Sequence, residues 1–253
     1  MKAIVIAAGQ GSRLRPYTDD RPKCMVEVGG RPILHHQIAA FQAAGINDIV
    51  VIRGYKGRRI QPPHGVRGVR FVDNPDFLNN NILESLFCAG DELTGDVVIS
   101  YGDIVYHPAV VTGLLDTFTP ATLIVDRSWS RAYAGRTDHP VEQAELCEIT
   151  GYGLISRVGK QVGPDNTVGE FIGLARFDSA VIARLWGRYL RALSRGADRP
   201  FGSAPTLRKA YLTDLLNDAI EAGESIAPLG IDGHWREIDT VQDLERAADA
   251  ITW

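Results

Sequence analysis

Ala7-Ala8-Gly9-Gln10-Gly11-Ser12-Arg13-Leu14-Arg15-Pro16, followed by Arg21-Pro22-Lys23, decides the reading of this chain. The stretch comes directly after Ala3-Ile4-Val5-Ile6, an apolar run with the β-branched content of a buried strand. Two glycines straight after a strand let backbone N–H groups turn inward as an anion-binding concavity. Arg13 brings a fixed guanidinium fork to that concavity and Lys23 a point charge. The backbone of Ala7, Ala8, Gly9, Gly11 and Ser12 with these two cations therefore reads as a triphosphate site. A dinucleotide fingerprint would need a small residue where Leu14 stands, which disfavours hydride transfer. A Walker-type loop would need Gly-Lys-Ser/Thr ahead of a helix, and no such tripeptide occurs.

Outward from the loop, the first half alternates strands and helices. Lys2–Ala7, Asp48–Arg53, Val69–Val72, Asp96–Tyr101 and Ala121–Val125 read as strands. Pro32–Ala44, Asn80–Leu93 and Pro108–Phe118 read as helices, the first opened by proline and stopped by Gly45. This alternation predicts an α/β fold, a Rossmann-like three-layer sandwich around a mixed, mostly parallel sheet. Ligands of such sheets bind beyond the carboxyl ends of the strands, where the glycine loop lies. After Asp126 the pattern changes, with strands expected at Glu142–Thr150, Tyr152–Val158 and Gly169–Arg176 and helices at Ser179–Ser194 and Thr206–Ala222. No Ser/Gly-rich linker or repeat interrupts it, so residues 1–253 read as one domain: a nucleotide half over 1–118 and an acceptor half over 119–253.

With 45% hydrophobic residues, 23% charged residues and a net charge of −4, the chain has the composition of a soluble globular protein with an ample core. No broad basic field points to nucleic acid, and no apolar run approaches membrane-spanning length. The strand beginning at Lys2 leaves no charged-then-apolar leader, and Cys24, Cys88 and Cys147 are far apart without metal-ligand spacing. The expected location is a reducing cytoplasm. His35 and His36 lie inside an expected helix and Trp186 and Tyr189 at helical spacing, all read as structural; Trp253 is expected to pack on the body or on a second subunit.

Two further constellations carry chemistry. Val97-Val98-Ile99 runs into Ser100-Tyr101-Gly102-Asp103, which places Asp103 at the sheet edge facing the loop, suited to hold Mg²⁺ against phosphate oxygens. A turn or cap role is the plain alternative. Trp235-Arg236-Glu237-Ile238-Asp239-Thr240 reads as a short strand leading into the closing helix, with Glu237 and Asp239 on one face. Asp239 and Thr240 both also suit a helix cap. Asp103 and Asp239 stand 136 residues apart and act together only if the fold unites them. Arg13 and Lys23 would then hold a departing pyrophosphate, and an already ionised phosphate or phosphonate acceptor needs no protein nucleophile.

The order Gly-x-Gly-x-Arg, Pro, Pro-Lys resembles the signature of nucleotidyltransferases that make nucleoside-diphosphate sugars and alcohols. Val26-Glu27-Val28 before Arg31-Pro32-Ile33-Leu34, Asn80-Asn81-Ile82 with Ser85-Leu86, Gly102-Asp103, Gly169-Glu170-Phe171-Ile172-Gly173 and Glu237-Ile238-Asp239-Thr240 follow in the order seen in phosphocholine and phosphonate cytidylyltransferases. The likeness runs from Lys2 to Ala247. It implies that Asp103 and Asp239 bind the metal with Glu237 beside them, that the loop, Arg13 and Lys23 bind triphosphate, and that Asn80, Asn81 and Ser85 lie near base and ribose.

The stretch from Asp126 to Pro140 is rich in arginine with two aromatics interleaved. Trp129, Tyr133 and Glu170 could contribute to a choline cage. Arg127, Arg131, Arg136 and His139 suit an anion better, Arg127 foremost because it follows a strand end. With Pro140–Glu145 and Ala210–Leu216, the stretch also resembles the nucleotidyltransferase modules of phosphonate biosynthesis, and Tyr211 could line the acceptor pocket.

The expectation is a Mg²⁺-dependent cytidylyltransferase that moves CMP from CTP to a phosphonate, with or without a carboxylate, as a monomer or homodimer without nucleic-acid or membrane partners. Alternative acceptors are phosphocholine and a sugar 1-phosphate. Outside enzymes the alternative is a regulatory nucleotide-binding module, although Arg13, Lys23, Asp103 and Asp239 are all present. A glycosyltransferase would show Asp-x-Asp where Asp103-Ile104-Val105 stands.

Overall fold

The structure is a computed structural model that describes residues 1–250; Trp253 lies outside them. The chain opens with β1 (Lys2–Ala7), the hairpin β2 (Glu27–Val28) and β3 (Arg31–Pro32), and helix α1 (Ile33–Ala43). Strands β4 (Ile49–Arg53) and β5 (Val69–Asp73) lead to α2 (Ile82–Phe87), β6 (Val97–Tyr101), β7 (Ile104–Tyr106), α3 (Pro108–Leu115) and β8 (Ala121–Asp126). There follow α4 (Trp129–Tyr133), β9 (Leu146–Ile149), β10 (Ile155–Gly159), β11 (Gly169–Phe177) and α5 (Ser179–Arg195). Helix α6 (Leu212–Glu221), β12 (Ala227–Ile231), β13 (Trp235–Glu237) and α7 (Val241–Ala250) complete the described chain.

Nine of these strands form one mixed sheet in the order β10-β9-β11-β6-β1-β4-β5, with β8 on β11 and β12 on β8. β1 runs parallel to β4 and to β6, so their carboxyl ends share one edge. β11 is antiparallel to β6, β8 and β9, which joins the two halves of the chain in a single sheet. This is the α/β fold expected from the alternation of elements.

Side-chain alternation along β1 builds the layers. Ile4 and Ile6 pack with Val181, Ile182 and Leu185 of α5 and Leu212, Leu215 and Leu216 of α6. Ala3, Val5 and Ala7 pack on the opposite face with Leu34, Ile38 and Phe41 of α1 and Val110, Val111 and Leu114 of α3. Cover on both faces explains why β1, β4 and β6 read as unbroken apolar runs. Each fully buried Ile or Leu contributes about 1.5–3 kcal/mol.

Several element bounds differ from the sequence reading. The helix expected to reach Leu93 stops at Phe87, and a 3₁₀ turn over Gly90–Glu92 follows. There Gly90 passes so close to Trp186 that a Cβ would lie 2.6 Å from the indole. The helix expected from Thr206 begins at Leu212, after a 3₁₀ turn at Leu207–Lys209, because the Asp214 carboxylate accepts from Tyr211 N–H (2.8 Å) and sets the start. Residues 141–143 form a 3₁₀ turn ahead of β9. Strands β7 and β12 were not expected. Among the described residues the three cysteines are free, and no helix is long and apolar enough to cross a membrane.

Candidate active site

The site sits at the carboxyl edge of β1 and β6. Gly11 has φ +59°, and a Cβ there would lie 2.8 Å from Lys23 Cβ, so glycine is needed both for the left-handed turn and for the lysine's passage. The Thr18 hydroxyl donates to the Gly11 carbonyl (2.9 Å) and pins the loop. Two 3₁₀ turns, Ser12–Leu14 and Lys23–Met25, carry Arg13 and Lys23. One strand over, Gly102 N–H donates to the Ile6 carbonyl (2.9 Å), while a Cβ at Gly102 would lie 2.6 Å from that oxygen. The chain after β6 thus folds tightly over the end of β1, and Asp103 emerges beside the loop.

Asp239 arrives from the far end of the sequence. β13 pairs antiparallel with β7, Glu237 opposite Ile104, and Ile238 N–H donates to the Asp103 carbonyl (2.9 Å). Lys23 Nζ then lies 2.8 Å from Asp103 Oδ2 and 2.6 Å from Asp239 Oδ1, so one ammonium spans both carboxylates. Arg13 Nη2 reaches Asp239 Oδ2 at 2.5 Å. His139 lies against the same acids, its Nδ1 3.1 Å from Asp239 Oδ2 and its Nε2 3.7 Å from Glu237 Oε2. The α7 cap is made by Thr240, whose Oγ1 accepts from Asp243 N–H (3.1 Å) while Asp243 Oδ2 accepts from Thr240 N–H (2.9 Å). The Asp239 carboxylate is left to the site.

Burial pulls the Lys23 pKa down, but Asp103, Asp239 and Glu237 outweigh it and hold the ammonium above its ordinary value. Burial pushes Asp239 up, yet Lys23, His139 and Arg13 outweigh it and keep the carboxyl well below the usual carboxylate range. Glu237 is raised by burial, with His139 opposing and Asp103 and Asp239 reinforcing the shift. The donor set fits a divalent cation. Asp103 and Asp239 present hard oxygens at one point, and the buried Asp239 Oδ2 lies outside hydrogen-bond geometry, in ion contact with Arg13 and His139. His139, Glu237 and Asp239 also bring ligand atoms within 4.8 Å of one another.

A cavity of about 370 Å³ opens from this cluster. On one side it is lined by Ala7, Ala8, Gly9, Gly11 and Ser12 of the loop, with Arg13, Asn80, Asn81 and Ser85. Asn74 orders that wall, its Nδ2 donating to Asn80 Oδ1 and to Ser85 Oγ (both 2.9 Å). Asn81 caps α2, its Oδ1 accepting from Ile82 N–H (2.9 Å), and donates to the Lys209 carbonyl (3.0 Å). On the other side lie Gln143, Glu145, Lys160, Glu170 and Tyr211. Glu145 accepts from Tyr101 Oη (3.0 Å) and Thr213 Oγ1 (3.3 Å), and burial pushes its carboxyl up to about 7. Glu170 accepts from Tyr133 Oη (2.7 Å), and burial, helped by Glu237, pushes it up to about 8.

The residues read as an acceptor set are not gathered in one place. His139, Glu170 and Tyr211 line the cavity, and Tyr133 supports it through Glu170. Arg136 is buried, bonded to Asp243 (2.6 Å) and Glu237 (2.9 Å), and lines a second cavity together with Arg131. Arg127 pairs with exposed Asp232 (Nε to Oδ1, 3.1 Å) and lies outside both cavities. Trp129 is buried among Ala144, Leu146 and Val162. Asn74, Lys160 and Asp243 carried no signal in the sequence reading, while Gln143 and Glu145 fell inside a quoted stretch without being singled out.

A family model described as the MobA-like NTP transferase domain matches residues 3–163, from within β1 to just beyond Lys160. The chain belongs to that family. The CTP:phosphoglutamine cytidylyltransferase of Campylobacter jejuni is 34% identical to this MobA-like transferase over 253 residues, 97% of this chain and 98% of that one. The CMP-5'-(3-aminopropyl)phosphonate synthase of Streptomyces rubellomurinus is 35% identical over 118 residues, 45% of this chain and 19% of that one. The solved CTP:phosphocholine cytidylyltransferase of Streptococcus pneumoniae shares the fold, with a TM-score of 0.75 at 22% identity and 99% of each chain covered. The MobA-like chain is thus a nucleotidyltransferase with cytidylyltransferases among its relatives, as the sequence resemblance implied.

Proposed function

We propose that this chain is a Mg²⁺-dependent cytidylyltransferase that joins CMP from CTP to a phosphonate or phosphomonoester and releases pyrophosphate. The observation that carries this reading is the Lys23 ammonium held between Asp103 and Asp239 beside the glycine loop. An acceptor oxygen forms the new bond to the α-phosphorus, and the bond from that phosphorus to the bridging oxygen breaks, its electron pair leaving with pyrophosphate. Asp103 and Asp239, with Glu237 alongside, would hold Mg²⁺, which would supply charge neutralisation at the α-phosphate. The Gly9–Ser12 backbone and Arg13 receive the β- and γ-phosphates, and Lys23 neutralises the departing group. Catalysis is then alignment and charge stabilisation, with no protein nucleophile required.

The two halves divide the work within one domain: residues 1–118 take the nucleotide, with Asn80 and Ser85 at its base and ribose, and residues 119–253 take the acceptor. The relatives' names join CTP to phosphoglutamine, aminopropylphosphonate and phosphocholine, and all three acceptors carry a phosphorus oxyanion and a nitrogen-bearing tail. The test is pyrophosphate release with Mg²⁺ across four nucleoside triphosphates and a panel of phosphonates, phosphocholine and hexose 1-phosphates. Release with CTP and a phosphonate or phosphomonoester supports the reading. Release only with a sugar phosphate moves the acceptor, and CTP binding without release from any pair favours a regulatory module.

A further inference from the structure

We propose that Gln37 is a positioning residue for the reaction: from the middle of α1 it clamps the backbone on both sides of Gly102-Asp103 and so sets where the Asp103 carboxylate meets a divalent cation. This rests on the transferase reading of the site. Gln37 shares the core-facing side of α1 with Leu34, Ile38 and Phe41, and it is fully buried. Its Nε2 donates to the Tyr101 carbonyl and to the Ile104 carbonyl, each at 2.7 Å. Those two residues bracket the turn: Tyr101 ends β6 in the nine-stranded sheet, and Ile104 begins β7 in the two-stranded sheet with β13. One amide therefore ties the end of one sheet to the start of another, with Asp103 between the two points.

Packing alone gives no reason for a glutamine at this position. Its Oε1 is buried without a hydrogen-bond partner, a cost that an apolar side chain of similar size would not carry. What the amide does is supply both Nε2 hydrogens to carbonyls of the turn. Ser100 Oγ also donates to the Tyr101 carbonyl (3.1 Å), but it belongs to the strand before the turn and ties nothing across it. The Asp103 carbonyl accepts from Ile238 N–H (2.9 Å), so the carbonyls of residues 101, 103 and 104 are all held, two of them by Gln37. The Asp103 side chain leaves from this clamped segment. Placement matters there, because Mg²⁺ demands near-ideal octahedral geometry and its ligand oxygens must sit within about 0.2 Å of their places.

The test is calorimetry of a non-hydrolysable CTP analogue, once with Mn²⁺ and once with EDTA; the ratio of the two affinities is the gain due to the metal. Gln37→Met keeps the bulk of the side chain and removes both donors. It should cut that gain about tenfold, the lower end for a residue that orients a metal ligand, and leave the metal-free affinity within about twofold of the parent. Ile38→Val, the adjacent change in the α1 core, should lower the melting temperature and alter neither affinity. In an Asp103→Asn background Gln37→Met should cost no further metal gain, because Gln37 acts only through Asp103. Where Gln37→Met melts below the assay temperature, Gln37→Asn, whose amide ends one methylene short of the carbonyls, takes its place. Equal loss with and without metal, or the same loss in the Asp103→Asn background, gives Gln37 a general packing role and overturns the proposal. A full metal gain in Gln37→Met, with the gain lost in Asp103→Asn, also overturns it and leaves the transferase reading standing. A metal gain untouched by Asp103→Asn removes Asp103 from the metal site and overturns both.

Discussion

Lys23 Nζ lies 2.6 Å from Asp239 Oδ1, joining a residue near the start of the chain to one in its last fifteen. The same ammonium reaches Asp103, so the cation suited to a departing pyrophosphate rests on the two carboxylates suited to a metal. Asp239 is ionised before any ligand arrives, because Lys23 and its neighbours overcome the cost of its burial. Folding itself therefore brings one cation and two carboxylates from three distant parts of the sequence to one point.

Asp103→Asn keeps the size of that side chain and removes its charge. Transfer should fall at least about a hundredfold, the scale for losing one preorganised electrostatic group. Circular dichroism and melting temperature should stay close to those of the parent, since Lys23 keeps Asp239. Near-normal pyrophosphate release in this variant would remove Asp103 from the metal site.

Gly11→Ala meets two obstacles at once, a left-handed φ of +59° and a Cβ only 2.8 Å from Lys23 Cβ. The backbone strain alone costs on the order of 1 kcal/mol. Displacement of Lys23 should raise the KM for CTP and lower kcat together. A variant with parental kinetics would show that the loop accommodates a side chain by shifting elsewhere.

The two arginines at 127 and 136 should part company. Arg136 is 6% exposed and Asp243 4%, so Arg136→Met leaves a buried carboxylate without its partner and should cost about 3–5 kcal/mol. Arg127 and Asp232 are 59% and 62% exposed, and Arg127→Ala should cost no more than about 1 kcal/mol. Urea unfolding of the two variants reads the difference directly. Equal losses would contradict the burial described for Arg136.

The parts of the site that the sequence revealed are the local ones. A strand running into Gly9 and Gly11, or into Gly102-Asp103, carries its own geometry, because strand direction and glycine together fix where the next side chain emerges. At residues 237–240 the sequence left Asp239 and Thr240 equally suited to the helix cap, and only the reciprocal bonds between Thr240 and Asp243 show that Thr240 takes it. The arginine-rich stretch was different. It lies in irregular backbone, where no period states which way a side chain faces, and the partners that settle the matter, Asp232 for Arg127 and Asp243 for Arg136, are more than a hundred residues away. Lys160 follows β10 in a turn with nothing beside it in sequence to mark it, and β12 hides behind Pro228 and Gly230, residues that strands disfavour.

Stability should depend on pH through Glu145. Its folded pKa of about 7 stands above the ordinary 4.5, so between these values the folded chain holds a proton that the unfolded chain has lost. Stability is therefore full below the lower value and falls as pH rises through the upper one. At about 1.36 kcal/mol per unit, the loss reaches at most about 3 kcal/mol. Glu170, with a pKa of about 8, acts in the same direction. Glu145→Gln should flatten the slope of unfolding free energy between pH 5 and pH 8, and an unchanged slope would place the titration on other groups.

The ladder between β7 and β13 has a consequence for how the protein comes into being. A polypeptide that stops at Ile231 already contains every strand of the nine-stranded sheet, the glycine loop, Lys23 and Asp103. It still lacks Glu237 and Asp239, which arrive only when β13 pairs with β7 and Ile238 bonds to the Asp103 carbonyl. On the ribosome, then, architecture precedes the candidate site: a nascent chain can hold the whole nine-stranded sheet and still lack two of that site's three carboxylates until the segment that carries β13 emerges and docks.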